Sequence, residues 1–110
     1  MIADPDRFIA DHTRIASAPL VPELRFHLAD ETIAIWQSTE EALGQQGLPP
    51  PFWAFAWAGG QALARYVMDN PDIVKGGHVL DFACGCAVAG IGAAKAGAAC
   101  VDASEIDPFA

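Results

Sequence analysis

No stretch of this chain is both long and apolar enough to cross a bilayer, which takes about 20 consecutive apolar residues. The longest run of low charge, 48–64, is interrupted by Pro49, Pro50, Pro51, Gly59 and Gly60. Basic residues are scarce, 6 Lys and Arg against 14 Asp and Glu, for a formal net charge of −8. So few cations cannot assemble a phosphate-binding face, which excludes nucleic acid as a partner. A cationic substrate or a basic protein suits the sign better. Cysteine is limited to Cys84, Cys86 and Cys100. An odd count offers no disulfide framework and points to a reducing, cytoplasmic location. The start, Met1-Ile2-Ala3-Asp4-Pro5-Asp6, lacks the basic region and apolar core of a secretion signal.

What is present is a globular composition. Hydrophobic residues make up 53% and charged ones 18%, which rules out a disordered chain, and 110 residues suffice for one small domain. Asp4-Pro5 can cap and open a helix, and Phe8, Ile9, His12 and Ile15 share a face at helical spacing. The run Ala18-Pro19-Leu20-Val21-Pro22 should stop that helix, since neither proline fits its interior. Leu24, Phe26 and Leu28 alternate with Arg25 and His27 as in a half-buried strand. Residues 31–43 return to helical spacing through Ile35, Trp36 and Leu43, and the 44–47 stretch, with Gly44 and Gly47, ends it.

A proline-rich joint leads into the aromatic stretch Phe52-Trp53-Ala54-Phe55-Ala56-Trp57. Gly59-Gly60 opens a helix expected to run to Asn70, with Leu63, Tyr66 and Val67 on one face. From residue 78 the pattern is strand, helix, strand. Residues 78–82 form a short apolar strand, 83–87 a turn of very small residues, 88–96 an apolar helix, and 99–104 a second strand. Parallel strands joined through a helix imply a sheet covered on both faces.

The small-residue turn is the most informative feature, because it lets a ligand approach the backbone at the carboxyl end of a parallel strand. The bland reading is a tight connection and nothing more. Glu105 ends the second strand, 24 residues after Asp81, where a carboxylate can accept hydrogen bonds from ribose hydroxyls. Asp81 bears on the ligand's charge. A dinucleotide would set a pyrophosphate against a carboxylate, whereas S-adenosylmethionine carries a sulfonium and an ammonium. At an effective dielectric of ~20, a charge pair 4 Å apart gains about 4 kcal/mol before desolvation. The sign favours the sulfonium cofactor.

Longer stretches carry a family resemblance: His12-Thr13-Arg14, Leu20-Val21-Pro22-Glu23-Leu24-Arg25, the segment from Pro51 through Trp57 to Gly59-Gly60-Gln61-Ala62-Leu63, Arg65-Tyr66, Asp69-Asn70-Pro71, Val79-Leu80-Asp81-Phe82 and Glu105-Ile106-Asp107-Pro108. In these the sequence resembles the seven-strand methyltransferases related to electron transfer flavoprotein β-subunit lysine methyltransferase. The aromatic segment entering Gly-Gly-Gln-Ala-Leu is the specific part.

The resemblance implies an α/β, Rossmann-like class I methyltransferase fold, truncated after the second core strand and preceded by an N-terminal helical extension. Residues 1–47 would be the extension and 48–110 the incomplete start of the S-adenosylmethionine-binding domain. It places Asp81, Ala83 and Gly85 in the cofactor loop, Glu105 on the ribose, Ile106 on the adenine, and Trp57, Gly59 and Gly60 beside the cofactor. It names no catalytic residue among these positions. The acceptor it implies is a lysine-bearing protein, the electron transfer flavoprotein β subunit, with no membrane or nucleic-acid partner.

Two departures from the family pattern stand out. Its loop reads Gly-x-Gly-x-Gly, and here Ala83 and Ala87 hold the outer positions. Alanine with a positive φ is strained by about 1 kcal/mol or more, and Ala83 looks the easier to accommodate. The chain also stops at Ala110, so exposed parallel edges should invite self-association. A non-catalytic binding or pairing module is therefore the alternative. A nucleotide-dependent oxidoreductase is disfavoured by Asp81. Cys84-x-Cys86 with Cys100 lacks a zinc or redox spacing, so no metal site is expected and the three thiols read as small buried residues. His12, His27 and His78 are isolated and read as structural or surface histidines, Trp36 and Trp53 as core, and the pairs Asp30-Glu31 and Glu40-Glu41 as helix-start or solvated charge.

Overall fold

The computed structural model describes residues 4–110, so the reading of Met1, Ile2 and Ala3 lies outside the described residues. Asp4 caps helix α1 (Pro5–His12), its side chain accepting from the Arg7 N–H at 3.0 Å. Strands β1 (Arg14–Ala18) and β2 (Val21–Leu28) follow as an antiparallel hairpin. Then come helix α2 (Thr32–Leu43), a 3₁₀ turn at Phe52–Ala54, helix α3 (Ala58–Asp69) and a second 3₁₀ turn at Pro71–Ile73. Strand β3 (His78–Phe82), helix α4 (Val88–Lys95) and strand β4 (Cys100–Ser104) complete a parallel two-strand unit. The architecture is mixed α/β with two small sheets.

The first helix is shorter than its apolar spacing suggests. Thr13 takes an extended backbone (φ −130°, ψ 166°), and both its N–H and its hydroxyl donate to the Ile9 carbonyl, closing the helix. Ile15 is 54% exposed and belongs to β1, not to the helix face. Pro19 and Leu20 form the hairpin turn instead of ending a helix. Pro22 lies inside β2, where the register shifts between the Ala16–Phe26 and Ala18–Val21 pairs. A residue without an N–H is tolerated where pairing is already broken. The second helix ends as its sequence suggests, at Gly44 in the left-handed conformation (φ 62°).

Two apolar clusters hold the chain together. Ala18, Val21, Leu24 and Phe26 of the hairpin pack with Ala64 of α3 and Val88 of α4. Phe8, Ile35, Trp53, Ala54 and Phe109 form the second cluster, with Phe109 tilted against Phe8 (5.2 Å) and stacked on Trp53 (6.0 Å). Both clusters draw residues from either side of position 47. The α3 face carrying Leu63 and Tyr66 is turned to solvent, each being more than half exposed, and Ala64 is the residue buried. A Cβ on Gly92 would lie 2.7 Å from the Ala64 Cβ, so the α3–α4 contact exists only because both residues are small.

Side chains of α3 clasp the hairpin turn. Gln61 accepts from the Leu20 N–H at 3.1 Å and donates to the Ala56 carbonyl at 2.6 Å. Arg65 donates to the Leu20 carbonyl (3.3 Å), to both Glu23 oxygens (2.9 Å each) and to Asp69. Segments far apart in sequence that carry the family resemblance are thus bonded to each other.

The expectation of a sheet covered on both faces is not met. α4 packs on one face of β3–β4, while Leu80 (63% exposed) and Phe82 (78% exposed) face outward. The chain exposes 6831 Å² in all. A compact monomer of this mass exposes about 5,800 Å². Its extents of 46 × 24 × 22 Å show the same departure from a sphere.

Candidate functional site

β3 and β4 pair in register from His78–Cys100 to Phe82–Ser104, which brings their carboxyl ends side by side. The Cys84 N–H extends this pairing by donating to the Ser104 carbonyl at 3.0 Å. The turn then folds through three left-handed residues in alternation, Ala83 (φ 54°), Gly85 (φ 56°) and Ala87 (φ 60°). The outer alanines therefore adopt the conformation expected to strain them, and Ala83 is no more relaxed in φ than Ala87.

Two carboxylates hold this loop. Glu105 Oε2 accepts from the Gly85 N–H at 2.8 Å, and its Oε1 accepts from the Ile106 (2.9 Å) and Asp107 (3.3 Å) N–H groups. The Gly85 amide, followed by those of Asp107 and Ile106, holds the Glu105 carboxyl below the usual range against the opposing effect of burial. Asp81 Oδ2 accepts from the Gly90 N–H at 2.7 Å. The Cys84 thiol is raised, first by burial and then by the charges of Asp81 and Glu105. Burial pushes the Cys86 thiol up to about 11, and its Sγ donates to the Phe55 carbonyl. All three cysteines are free thiols that are half-buried where buried residues were expected, and no cluster suited to a metal ion occurs among the described residues.

The loop forms one wall of a cavity of about 450 Å³. Asp81, Ala83, Gly85, Glu105, Trp57 and Gly60 all line it. Gly59 is outside it, with open space where a Cβ would stand. Ile106, 97% exposed, lines a neighbouring apolar cavity of about 440 Å³, which shares Phe52 and Glu105 with the first. Sequence reasoning assigned no site role to Phe52, Phe55, Leu63, Phe82 or Val88, which also line the first cavity. Trp57 Nε1 donates to the Phe52 carbonyl at 2.9 Å, and its ring meets Phe52 edge-on at 6.0 Å. A Cβ on Gly85 would approach that same carbonyl at 3.6 Å. The aromatic segment and the small-residue loop are thus built against each other. Their shared signal in the sequence was the run of aromatics just before Gly59-Gly60.

Chemically, the cavity is lined by apolar and aromatic side chains and by two carboxylates, Asp81 and Glu105, that accept from backbone N–H groups. Its volume lies within the range of small-molecule sites, about 300–1,000 Å³. A ligand with positive charge and a planar apolar part would complement it.

Comparison with known proteins places the chain among relatives of lysine methyltransferases. More narrowly, these relatives are named electron transfer flavoprotein beta subunit lysine methyltransferase. The Xenopus laevis protein is 47% identical over 106 residues, covering 96% of this chain and 42% of the relative. The Danio rerio protein is 44% identical over 108 residues (97% and 41%), and the Homo sapiens protein 37% identical over 110 residues (97% and 41%). The chain is a homologue of these proteins over nearly its whole length and spans about two-fifths of theirs. No protein-family model and no solved structure matches it.

Proposed function

We propose that this chain carries the cofactor-binding part of an S-adenosylmethionine-dependent methyltransferase of the Rossmann-like class I fold. The observation that carries this reading is the gathering of Asp81, Ala83, Gly85, Glu105, Trp57 and Gly60 around one cavity at the carboxyl ends of two parallel strands. The fit to the cofactor rests on charge and shape. The carboxylates of Asp81 and Glu105 disfavour a pyrophosphate against this loop. The left-handed loop opens its backbone to close approach, and the Trp57–Phe52 pair supplies an apolar flank.

The bound cofactor would supply an activated methyl group on sulfur. Gly85 and Trp57 would orient it, on a loop that Asp81 borders. One lone-pair direction of the Glu105 carboxylate remains for a ribose hydroxyl beside its three backbone partners. Methyl transfer is an in-line displacement on carbon, needing alignment and a neutral amine more than an acid–base pair. The acceptor we infer is a protein lysine, with the electron transfer flavoprotein β subunit as the first candidate, because the relatives carry that name. The acidic surface, at net charge −8, suits a cationic side chain.

Isothermal titration of the chain with S-adenosylmethionine, and with NAD as a control, tests this reading. Saturable binding of the first alone is expected. Binding of neither by a chain with native circular dichroism would remove it. The outward Leu80–Phe82 face favours a second reading, a pairing module. A monomer in sedimentation at high concentration would dismiss that one.

A further inference from the structure

The helix that follows the loop has a defect at its start. Ala87 occupies the N-cap of α4, where Ser, Thr, Asp or Asn would supply a side-chain acceptor, and it makes no capping hydrogen bond. The first N–H groups of a helix have no partner within it. The Ile91 N–H already bonds the Ala87 carbonyl at 2.8 Å, and Asp81 Oδ2, coming from the preceding strand, takes the Gly90 N–H at 2.7 Å.

This cap requires an empty space that only glycine leaves. A Cβ on Gly90 would stand 3.0 Å from Asp81 Oδ2, 3.2 Å from the Asp81 Cβ and 3.1 Å from Val101 Cγ1. The carboxylate and the helix amide meet because residue 90 has no side chain. The five residues between Phe82 and Val88 include two left-handed alanines, a conformation L side chains resist. A bond that joins the strand to the helix across this loop opposes its relaxation.

We propose that Asp81 is a positioning residue for the candidate cofactor site, holding the loop 83–87 in its ligand-accepting shape through the Gly90 N–H, and that this bond matters more than its charge. The inference rests on the cofactor reading above and gives Asp81 a different role within it. The charge of a half-buried carboxylate beside an open cavity is weakened by water, whereas the bond to Gly90 is short and geometrically fixed.

Asparagine at position 81 keeps an acceptor for Gly90 and loses the charge; alanine loses both. Gly90→Ala keeps the charge and pushes the acceptor away. S-adenosylmethionine titration should give Asp81→Asn an affinity within about threefold of the parent chain, with Asp81→Ala and Gly90→Ala each weaker by about tenfold or more. Circular dichroism checks that each variant is folded. Amide hydrogen exchange provides a readout independent of the cofactor. The Gly90 N–H should be protected in the parent chain and in Asp81→Asn, and fast in Asp81→Ala. Asp81→Asn binding as poorly as Asp81→Ala, with Gly90→Ala unchanged, would show that charge governs and overturn the proposal. An equally protected Gly90 N–H in Asp81→Ala would overturn it too. A parent chain that protects Gly90 yet binds no S-adenosylmethionine would remove the cofactor reading and leave the strand-to-helix bond standing.

Discussion

The two sheets of this molecule are of similar size and opposite situation. In the β1–β2 hairpin, Val21, Leu24 and Phe26 are buried beneath α3 and α4, and Val21 has no exposed surface. In the β3–β4 pair, the outward residues of β3, His78, Leu80 and Phe82, all face solvent. Exposure alternates along β3 and along β2 from Leu24 onward, so alternation assigns residues to faces without saying whether a face is covered. What differs is the partner. The hairpin has helices across it, and β3–β4 has α4 on one side only. The site's loop grows from the less covered sheet and is held by backbone N–H groups donating to Asp81 and Glu105, whereas the hairpin combines apolar burial with the Gln61 and Arg65 bonds at its turn.

The largest test of that contrast compares two phenylalanines. Phe26→Ala should cost about 3–5 kcal/mol in denaturant unfolding, since it leaves a cavity in the first cluster. Phe82→Ala should change stability by about 0.5 kcal/mol or less, because its ring is already in water. Equal losses would show that the outer face of β3 is covered in solution. Next comes the α3–α4 contact beneath the hairpin. Gly92→Ala forces a methyl against Ala64 and should destabilise by about 1–3 kcal/mol by the same measurement. A smaller effect follows from the loop. Ala87→Gly and Ala83→Gly each release a left-handed alanine and should stabilise by about 0.5–1 kcal/mol, the gain reduced by the extra freedom of glycine when unfolded.

The smallest effect is one of acidity. The Glu105 carboxyl is lowered in the folded chain, so its contribution is present above its unfolded value, near 4.5, and is lost as pH falls through the folded value. Thermal unfolding followed from pH 6 downward, about the range in which carboxylates titrate, should show a decline that is shallower in Glu105→Gln. An identical slope in the variant would place the acid sensitivity elsewhere.

The strand–helix–strand unit was legible in the sequence almost to the residue, because its apolar runs are bounded by Gly77, the small-residue turn and Gly97. The hairpin was less so. Ile15 fits a helical period as well as a strand, and only the Thr13 bonds to Ile9 decide between them. Pro19 and Pro22 read as a stop, although one forms a turn and the other sits at a break in pairing. Of the candidate site, the loop could be read from its run of small residues, and the strain at its alanines only through the resemblance, where glycine holds those positions. The bonding partners of Asp81 and Glu105 could not, since a carboxylate near a loop is equally suited to a ligand or a backbone amide. Phe109 escaped notice because a lone aromatic near a chain end shows no periodicity, yet it stacks on Trp53 in the second cluster.

The left-handed alanines have a consequence for how this loop can change over generations. Alanine and glycine codons differ only at the middle base, so each strained position lies a single transversion from relief. Random point mutagenesis would sample both replacements without passing through any other amino acid. A selection for thermal resistance should therefore recover glycine at 83 or 87 early. A lineage that keeps alanine at both does so with the alternative always within reach.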